Sequence, residues 1–110
     1  MCPENLQGQS LLEAIREIIR RGEHGFTLHA TSRAISEGIP LSDVEVATCA
    51  SEAQVIEDYP DDPRGPSCLI LGFSSGGDPL HIVCSHPPNV AIISVYRPDP
   101  ERWIDYRARR

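Results

Sequence analysis

A histidine and a tyrosine on neighbouring predicted strands are the first candidates for chemistry in this chain. His81 interrupts one apolar segment, and Tyr96 ends the next one. Because side chains alternate between the two faces of a strand, we expect His81 on a partly open face, opposite its apolar neighbours. Ile92 and Ser94 should share the face of Tyr96, so that the imidazole and the phenol meet across the strands. Such a pair could move protons in acid–base catalysis, or it could be a cross-strand packing pair without chemistry.

Arginines are the second candidate group, because a guanidinium binds phosphate and carboxylate through a planar fork of donors. His29 and Arg33 are four residues apart on a predicted helix and therefore share one face. They could hold a phosphate while the imidazole moves a proton; equally, Arg33 could pair with Glu37 on a polar helix face. Arg64 and Arg97, at strand edges, are the candidate clamps for a phosphate.

Metal and cofactor motifs are weak in this sequence. His81, Cys84 and His86 have the spacing of a metal motif, but on a strand His81 faces away from the other two. Two ligands are too few for structural zinc, and no Cys-x-x-Cys pair is present. The glycine-rich residues 74–77 do not lead into a helix, so they lack the context of a phosphate-binding loop. We therefore expect neither a metal nor an organic cofactor.

Three helices are predicted in the first half of the chain, over residues 10–21, 27–37 and 43–50. Ser10 and Glu13 have the spacing of a capping box at the start of the first helix, and apolar residues recur on one face after them. Gly38 can supply the left-handed cap that ends the second helix. Ser42 and Glu45 predict another capping box at the start of the third.

Four strands follow, over residues 54–59, 67–73, 80–85 and 90–97. Their short loops favour an antiparallel meander with the helices packed on one face. Asp99 and Pro100 have the pattern of a helix start, which predicts a short C-terminal helix. Trp103 and Tyr106 would dock that helix on the sheet. The predicted fold class is therefore α+β, in a single domain over residues 1–110 with frayed ends at 1–9 and 108–110.

Charge is distributed unevenly along the 110 residues. Ten arginines and no lysine stand against sixteen acids, for a formal net charge of −6. Residues 1–96 carry five arginines and thirteen acids (−8), whereas residues 97–110 carry five arginines and three acids (+2). A generic nucleic-acid binder is basic, so the net charge argues against tight non-specific binding and leaves room only for a local basic groove.

No segment predicts export or a membrane. No apolar run approaches the roughly 20 residues of a membrane span, and the first residues have neither the basic start nor the apolar run of a signal peptide. The four cysteines, Cys2, Cys49, Cys68 and Cys84, then fit reduced thiols. The last three lie in apolar segments, where cysteine behaves as a small buried hydrophobe. We expect a cytoplasmic protein without membrane contact.

Short segments spread between Phe26 and Trp103 carry a family resemblance. They are His29-Ala30 with Arg33, Glu37-Gly38-Ile39, Asp43-Val44, residues 55–60, 69–72 and 78–83, Tyr96, Pro98 and Trp103. In this order and spacing they resemble a prokaryotic family catalogued as domain of unknown function 4258. Its members are distantly similar to toxin ribonucleases of the RelE and BrnT kind, which cleave RNA without a metal. They often lie beside a gene for a small zinc-finger antitoxin-like protein.

The resemblance implies a toxin-like, metal-independent endoribonuclease that acts on RNA and is controlled by a small antitoxin-like partner. The candidate catalytic residues are His29, His81 and Tyr96, and the candidate RNA-binding residues are Arg33, Arg64 and Arg97. One group would activate the 2′-hydroxyl, another would protonate the leaving 5′-oxygen, and arginines would stabilise the phosphorane. The competing hypothesis is a non-enzymatic interaction module or homodimer. The acidic stretch over residues 43–62 favours it, because that stretch repels RNA.

Overall fold

The computed structural model describes residues 3–110, with side chains from residue 8 onward. The helices are α1 (Pro3–Arg20), α2 (Leu28–Glu37) and α3 (Leu41–Cys49). The strands are β1 (Gly25–Phe26), β2 (Gln54–Tyr59), β3 (Ser67–Phe73), β4 (Pro79–Ser85), β5 (Ala91–Tyr96), β6 (Trp103–Ile104) and β7 (Ala108–Arg109). The predicted α+β class is confirmed. None of the described helices is long and apolar enough to cross a membrane.

The first helix begins earlier than its pattern predicts. It starts at Pro3, so the predicted capping box at Ser10 is wrong, and Ser10 is an exposed residue within the helix. Proline suits a first helical turn, because its missing N–H would have no partner there in any case. The apolar face is as predicted, with Leu12 and Ile15 buried. Of the end predicted to fray, residues 3–9 are helical, and the first two residues lie outside the described part.

The predicted cap of α2 at Gly38 is confirmed, and the predicted capping box of α3 is not. Thr27 Oγ1 accepts a hydrogen bond from the N–H of Ala30 at 3.0 Å. Gly38 ends α2 with a φ of 67°, a conformation that favours glycine. α3 begins one residue before Ser42, and no side chain caps it. The predicted capping box is wrong because Glu45 instead binds the imidazole of His24.

The main sheet has five strands in the order β1-β5-β4-β3-β2. The predicted four-stranded antiparallel meander is therefore wrong: β2 to β5 are antiparallel neighbours, but β1 adds a strand parallel to β5. The N–H groups of Gly25 and Thr27 donate to the carbonyls of Val90 and Ile92 at 3.1 and 3.0 Å. A two-residue strand is too short to leave an alternating pattern in the sequence, so it could not be predicted.

The predicted C-terminal helix is also wrong. One helix-like turn does follow Asp99, whose carbonyl accepts hydrogen bonds from the N–H groups of Arg102 and Trp103 at 2.9 and 3.1 Å. The chain then leaves the helical path and pairs β6 with β7. Residues 108 and 109, predicted to fray, form β7. We call residues 98–110 the C-terminal strap, because this segment crosses the face of the sheet opposite the helices.

A tight turn joins the two short strands of the strap. Its central residues, Asp105 and Tyr106, have φ values of 52° and 61°. The N–H of Arg107 donates to the carbonyl of Ile104 across the turn at 3.0 Å. Left-handed backbone at both central positions is typical of a hairpin turn, where glycine or asparagine is usual. For a bulky tyrosine this conformation is strained.

The helices cover one face of the sheet, which we call the helix face, and the strap covers the other, which we call the strap face. On the helix face, Ile70 joins residues of all three helices in a buried apolar cluster. Gly72 faces α3, and a Cβ there would collide with the carbonyl oxygen of Ala47, so the helix lies closer than any side chain permits. On the strap face, Leu71 and its register partner His81 are both fully buried.

Candidate functional site

His81 and Tyr96 meet as the alternation predicts. They are register partners, and Nδ1 of His81 lies 3.2 Å from the hydroxyl oxygen of Tyr96. The prediction that Ile92 shares the face of Tyr96 is wrong, because Ile92 belongs to the buried cluster of the helix face. The ladder skips Ile93 between Ile92 and Ser94, and this β-bulge shifts the alternation by one residue.

His81 does not lie on an open face, contrary to the prediction, because the strap covers it completely. Its relative exposure is 0 %. The Trp103 ring packs edge-to-face against the imidazole, with 4.4 Å between the ring centroids. The carbonyl oxygen of Tyr106 lies 2.6 Å from Nε2. A prediction that placed these residues on a short helix could not anticipate a carbonyl aimed at the ring.

The hydrogen bonds define which ring nitrogen of His81 carries the hydrogen. A carbonyl oxygen only accepts, so Nε2 carries the hydrogen and donates to Tyr106. In the neutral ring Nδ1 is then an acceptor, and the hydroxyl of Tyr96 donates to it. Burial lowers the pKa of His81, although the bond to the Tyr106 carbonyl and the charge of Glu57 act in the opposite direction. The imidazole is therefore neutral at neutral pH.

Tyr96 connects the sealed imidazole to the surface. Burial raises the pKa of its hydroxyl, so the phenol keeps its proton. The hydroxyl donates inward to His81, and its oxygen can still accept a hydrogen bond from the outer side. A group that donates a hydrogen bond to the Tyr96 oxygen can therefore transfer a proton to it, because Tyr96 can give its own proton to Nδ1 of His81.

An open hollow of about 630 Å³ lies beside Tyr96, between α2, the end of β5 and the strap. Its lining residues are Arg33, Tyr96, Arg97, Asp99, Glu101, Arg102, Trp103, Arg109 and Arg110. Five guanidiniums and two carboxylates line this wall, and Glu37 and Glu57 pair with three of the guanidiniums from outside it, so the group carries a formal charge of +1 in a molecule of net charge −6. The local field therefore favours an anion even though the whole molecule repels one.

Two of these arginines lie over aromatic rings. The guanidinium carbon of Arg33 is 6.0 Å from the ring centre of Tyr96, and that of Arg109 is 4.6 Å from the ring centre of Trp103. An arginine over a ring directs its N–H donors to the edge of the guanidinium, where a carboxylate or another planar anion can bind. Nε of Arg33 is buried and has no hydrogen-bond partner within the described part of the chain. The wall thus offers oriented donors as well as positive charge.

Glu37 of α2 orders the two predicted arginines at this wall. Its carboxylate lies 3.8 Å from Arg33 and 3.8 Å from Arg97. Its backbone carbonyl also accepts a hydrogen bond from the guanidinium of Arg97. The alternative that Arg33 pairs with Glu37 is thus confirmed, and the pairing places Arg33 and Arg97 side by side in the hollow.

Glu57 of β2 holds an arginine of the strap. Nε and Nη2 of Arg109 donate to the two carboxylate oxygens at 2.8 and 3.0 Å, and the hydroxyl of Tyr59 donates to the same carboxylate. These hydrogen bonds hold the pKa of Glu57 below its ordinary value, although partial burial acts to raise it. The bond to Glu57 raises the pKa of Arg109. Both partners are therefore charged at neutral pH, and the pair ties the strap to the sheet.

Two predicted site residues lie elsewhere. His29 is exposed on α2, with Nε2 at 3.4 Å from the hydroxyl of Ser94, and it does not line the hollow. Arg64 lies in the loop between β2 and β3, where it pairs with Asp62 at 3.3 Å. It does not line the hollow either. The structure therefore brings Arg33, Arg97 and Tyr96 together over His81, and it leaves out the other two.

Sequence reasoning missed the contributions of the strap. The hollow draws Arg102, Arg109 and Arg110 from it, and the carbonyl of Tyr106 fixes the imidazole of His81. The excess of arginine after residue 96 was the available signal for the three side chains. A backbone carbonyl has no signal of its own in a sequence, because every residue carries one.

The other chemical candidates form no further site. Within residues 3–110, no group of three or more histidine, cysteine, aspartate or glutamate residues could hold a metal ion. Cys68 and Cys84 are buried as predicted, and burial raises the pKa of both thiols, that of Cys84 to about 12. Cys49 is half-buried, and Cys2 lies outside the described residues. The two buried thiols are therefore protonated and serve as apolar side chains of the helix face.

One comparison with known proteins gave a match. A family model described as Domain of unknown function (DUF4258) matches residues 26–97. The matched span begins in β1 and ends just after β5, so it holds Arg33, His81 and Tyr96 but not the strap. It confirms the family resemblance of the short segments up to Arg97. Neither the curated proteins nor the solved structures gave a significant match.

Proposed function

The chain belongs to the DUF4258 family, whose description states no function, and from its geometry we propose that it is a metal-independent endoribonuclease. Its substrate would be RNA, bound in the arginine-lined hollow. The proposal includes the distant likeness to RelE-type toxin ribonucleases, a cytoplasmic location and control by a small antitoxin-like protein.

One observation carries the proposal: the hydroxyl of Tyr96 donates to a neutral, buried imidazole at the wall of a cationic hollow. Cleavage of RNA without a metal needs an acceptor for the proton of the 2′-hydroxyl and positive charge near the phosphate. Tyr96 backed by His81 supplies the acceptor, and the arginines supply the charge. The net charge of −6 limits binding outside the hollow, which favours one specific site over general adhesion to nucleic acid.

In the proposed reaction, the 2′-hydroxyl gives its proton to the oxygen of Tyr96 while Tyr96 passes its own proton to Nδ1 of His81. The 2′-oxygen attacks the adjacent phosphorus and the P–O5′ bond breaks, which leaves a 2′,3′-cyclic phosphate and a 5′-hydroxyl. The leaving 5′-oxygen takes its proton from a water in the open hollow, because His29 does not line it. Arg33 and Arg97 stabilise the negative charge of the phosphorane.

The buried imidazolium formed in this step needs compensation. The Tyr106 carbonyl and the charge of Glu57 both favour the charged ring, against the larger effect of burial. His81 can therefore hold the proton briefly and return it through Tyr96 to a water that replaces the product. The strap face thus supplies the groups that a short-lived imidazolium requires.

The test is incubation of purified protein with an RNA oligonucleotide in the presence of a chelator. Tyr96→Phe keeps the ring and removes the hydroxyl, so we expect cleavage to slow by about a hundredfold or more. A DNA oligonucleotide of the same sequence should remain intact, because it lacks the 2′-hydroxyl. Intact RNA with folded wild-type protein, or equal rates for wild type and Tyr96→Phe, would refute the proposal.

A matched pair of arginine variants separates the hollow from the rest of the surface. Arg33→Gln removes a guanidinium from the wall, and Arg64→Gln removes one from an exposed loop outside it. We expect only Arg33→Gln to reduce cleavage, by tenfold or more, on the order of one charge-assisted hydrogen bond to the phosphate. Equal loss in both variants would indicate a general charge effect.

The exposed face of α2 favours a second function, and there we propose binding of another protein chain, a second copy included. Leu28 and Ile35 are 82 % and 76 % exposed. They are seven residues apart and therefore lie on one helix face, with the uncharged Ser32 between them. An uncharged apolar face is typical of the centre of a protein interface. Sedimentation of the wild type and Leu28→Ser/Ile35→Ser tests self-association: a smaller complex in the variant supports it, and a monomeric wild type excludes it.

A further inference from the structure

One guanidinium of the hollow has two roles that compete for its Nε–Nη2 edge. Arg109 lines the hollow, where the proposed function places a phosphate group. The same guanidinium makes a bidentate ion pair with Glu57 and lies over the ring of Trp103. Its Nε and Nη2 donors cannot face Glu57 and an anion in the hollow at the same time. An anion that takes these donors therefore removes the bidentate contact between strap and sheet.

Besides the ion pair, the strap is held by two hydrogen bonds to the sheet and by one buried ring. Arg107 donates to the side chain of Gln54 at 2.6 Å on the exposed surface, and Tyr106 accepts a hydrogen bond from His81. Trp103 is the buried apolar anchor, at 5 % exposure. The left-handed backbone of Asp105 and Tyr106 opposes these contacts, because it is strained for residues other than glycine. The closed turn therefore depends on the ion pair that holds β7.

We propose that an anion bound in the hollow withdraws Arg109 from Glu57 and thereby loosens the strap over His81. The inference rests on the proposed function only in placing a phosphate group in the hollow; it does not require that RNA is cleaved. Anion binding and strap closure compete for one side chain, so each weakens the other by the same factor. Occupancy of the site then regulates access to its buried imidazole.

The reciprocity gives a direct test by substitution. Glu57→Gln removes the charge that competes for Arg109, so the variant should bind inorganic phosphate about threefold to fivefold more tightly than the wild type. The same change should loosen the strap without any ligand. Glu37→Gln is the matched control for the strap: it also frees two arginines of the hollow, Arg33 and Arg97, for phosphate, but Glu37 does not contact Arg109.

Amide hydrogen exchange of the full chain measures the strap. Inorganic phosphate should speed exchange of residues 103–109 several-fold over chloride at equal ionic strength, with β3 unchanged as an internal reference. Glu57→Gln should show the faster exchange without phosphate, whereas Glu37→Gln should exchange as the wild type does. The experiment requires no substitution of the buried His81, which could disturb the fold.

Phosphate that leaves the strap unchanged or protects it would overturn the inference, as would Glu57→Gln that binds phosphate no more tightly than the wild type. Absence of phosphate binding would overturn it too. The proposed function fails separately: RNA that stays intact while phosphate loosens the strap refutes cleavage and supports the competition. RNA that is cleaved without a strap response refutes the competition alone.

Discussion

The helix face and the strap face of one sheet are stabilised by different means. On the helix face, many apolar side chains share the burial, and Gly72 lets α3 lie against β3. On the strap face, a short segment covers the sheet through Trp103, the carbonyl of Tyr106 and the ion pair of Arg109. A distributed pattern tolerates change at any one position better than a few individual contacts do. The candidate site therefore lies on the face that depends on fewer contacts.

The largest effect should come from the anchor of the strap. Trp103→Ala removes the buried ring over His81, and we expect the free energy of unfolding to fall by about 3–4 kcal/mol. Ile104→Ala, at a neighbouring side chain that is 50 % exposed, should change it by less than about 1 kcal/mol. Urea unfolding of the two variants measures both. Similar values would mean that the strap contributes little to the fold.

A smaller effect should come from the close approach on the helix face. Gly72→Ala introduces a methyl group against the backbone of Ala47, and we expect a loss of about 2 kcal/mol. Gly76→Ala is the control, because a Cβ there has its nearest neighbour at 3.9 Å. Thermal unfolding compares them. A Gly72→Ala protein as stable as Gly76→Ala would contradict the tight packing between α3 and β3.

The smallest effect should be a dependence on pH that arises from the strap face. Burial holds the pKa of His81 below its ordinary value of 6.5. As the pH falls through this value, the unfolded chain takes up a proton that the folded chain does not. The free energy of unfolding therefore falls, by at most about 1.4 kcal/mol per pH unit.

Urea unfolding at about pH 7.5, 6.5 and 5.5 separates this contribution from other titrating groups. We expect His81→Gln to lose less stability across the range than the wild type, because the glutamine cannot take up a proton. An equal loss in both proteins would show that the imidazole is not held neutral by the strap.

The helix face was largely predictable from the sequence. The apolar period of α1 and the left-handed cap at Gly38 depend on local order, so their signals survive in a single sequence. The meeting of His81 with Tyr96 also followed from alternation, because neighbouring strands with a short loop pair in a simple way. The bulge at Ile93 did not, since an extra residue in a strand leaves the composition of the segment unchanged.

The strap itself was not predictable, for three reasons. Asp99 and Pro100 can begin either a single helical turn or a full helix, so the local signal is ambiguous. The turn at Asp105 and Tyr106 lacks the glycine or asparagine that normally marks a hairpin. The burial of His81 depends on a segment more than twenty residues later in the chain, and residue patterns do not report such contacts.

The pairing of β1 with β5 has a consequence for how the chain folds. Gly25 and Phe26 must find Ala91 and Ile92, partners far away in the chain, and they gain only a two-residue ladder. Closing so long a loop costs chain entropy that a short ladder repays poorly, so this edge should assemble after the hairpins of the other strands. Until it does, the edge of β5 can pair with a strand from another molecule. We therefore expect misassembly when the protein refolds at high concentration.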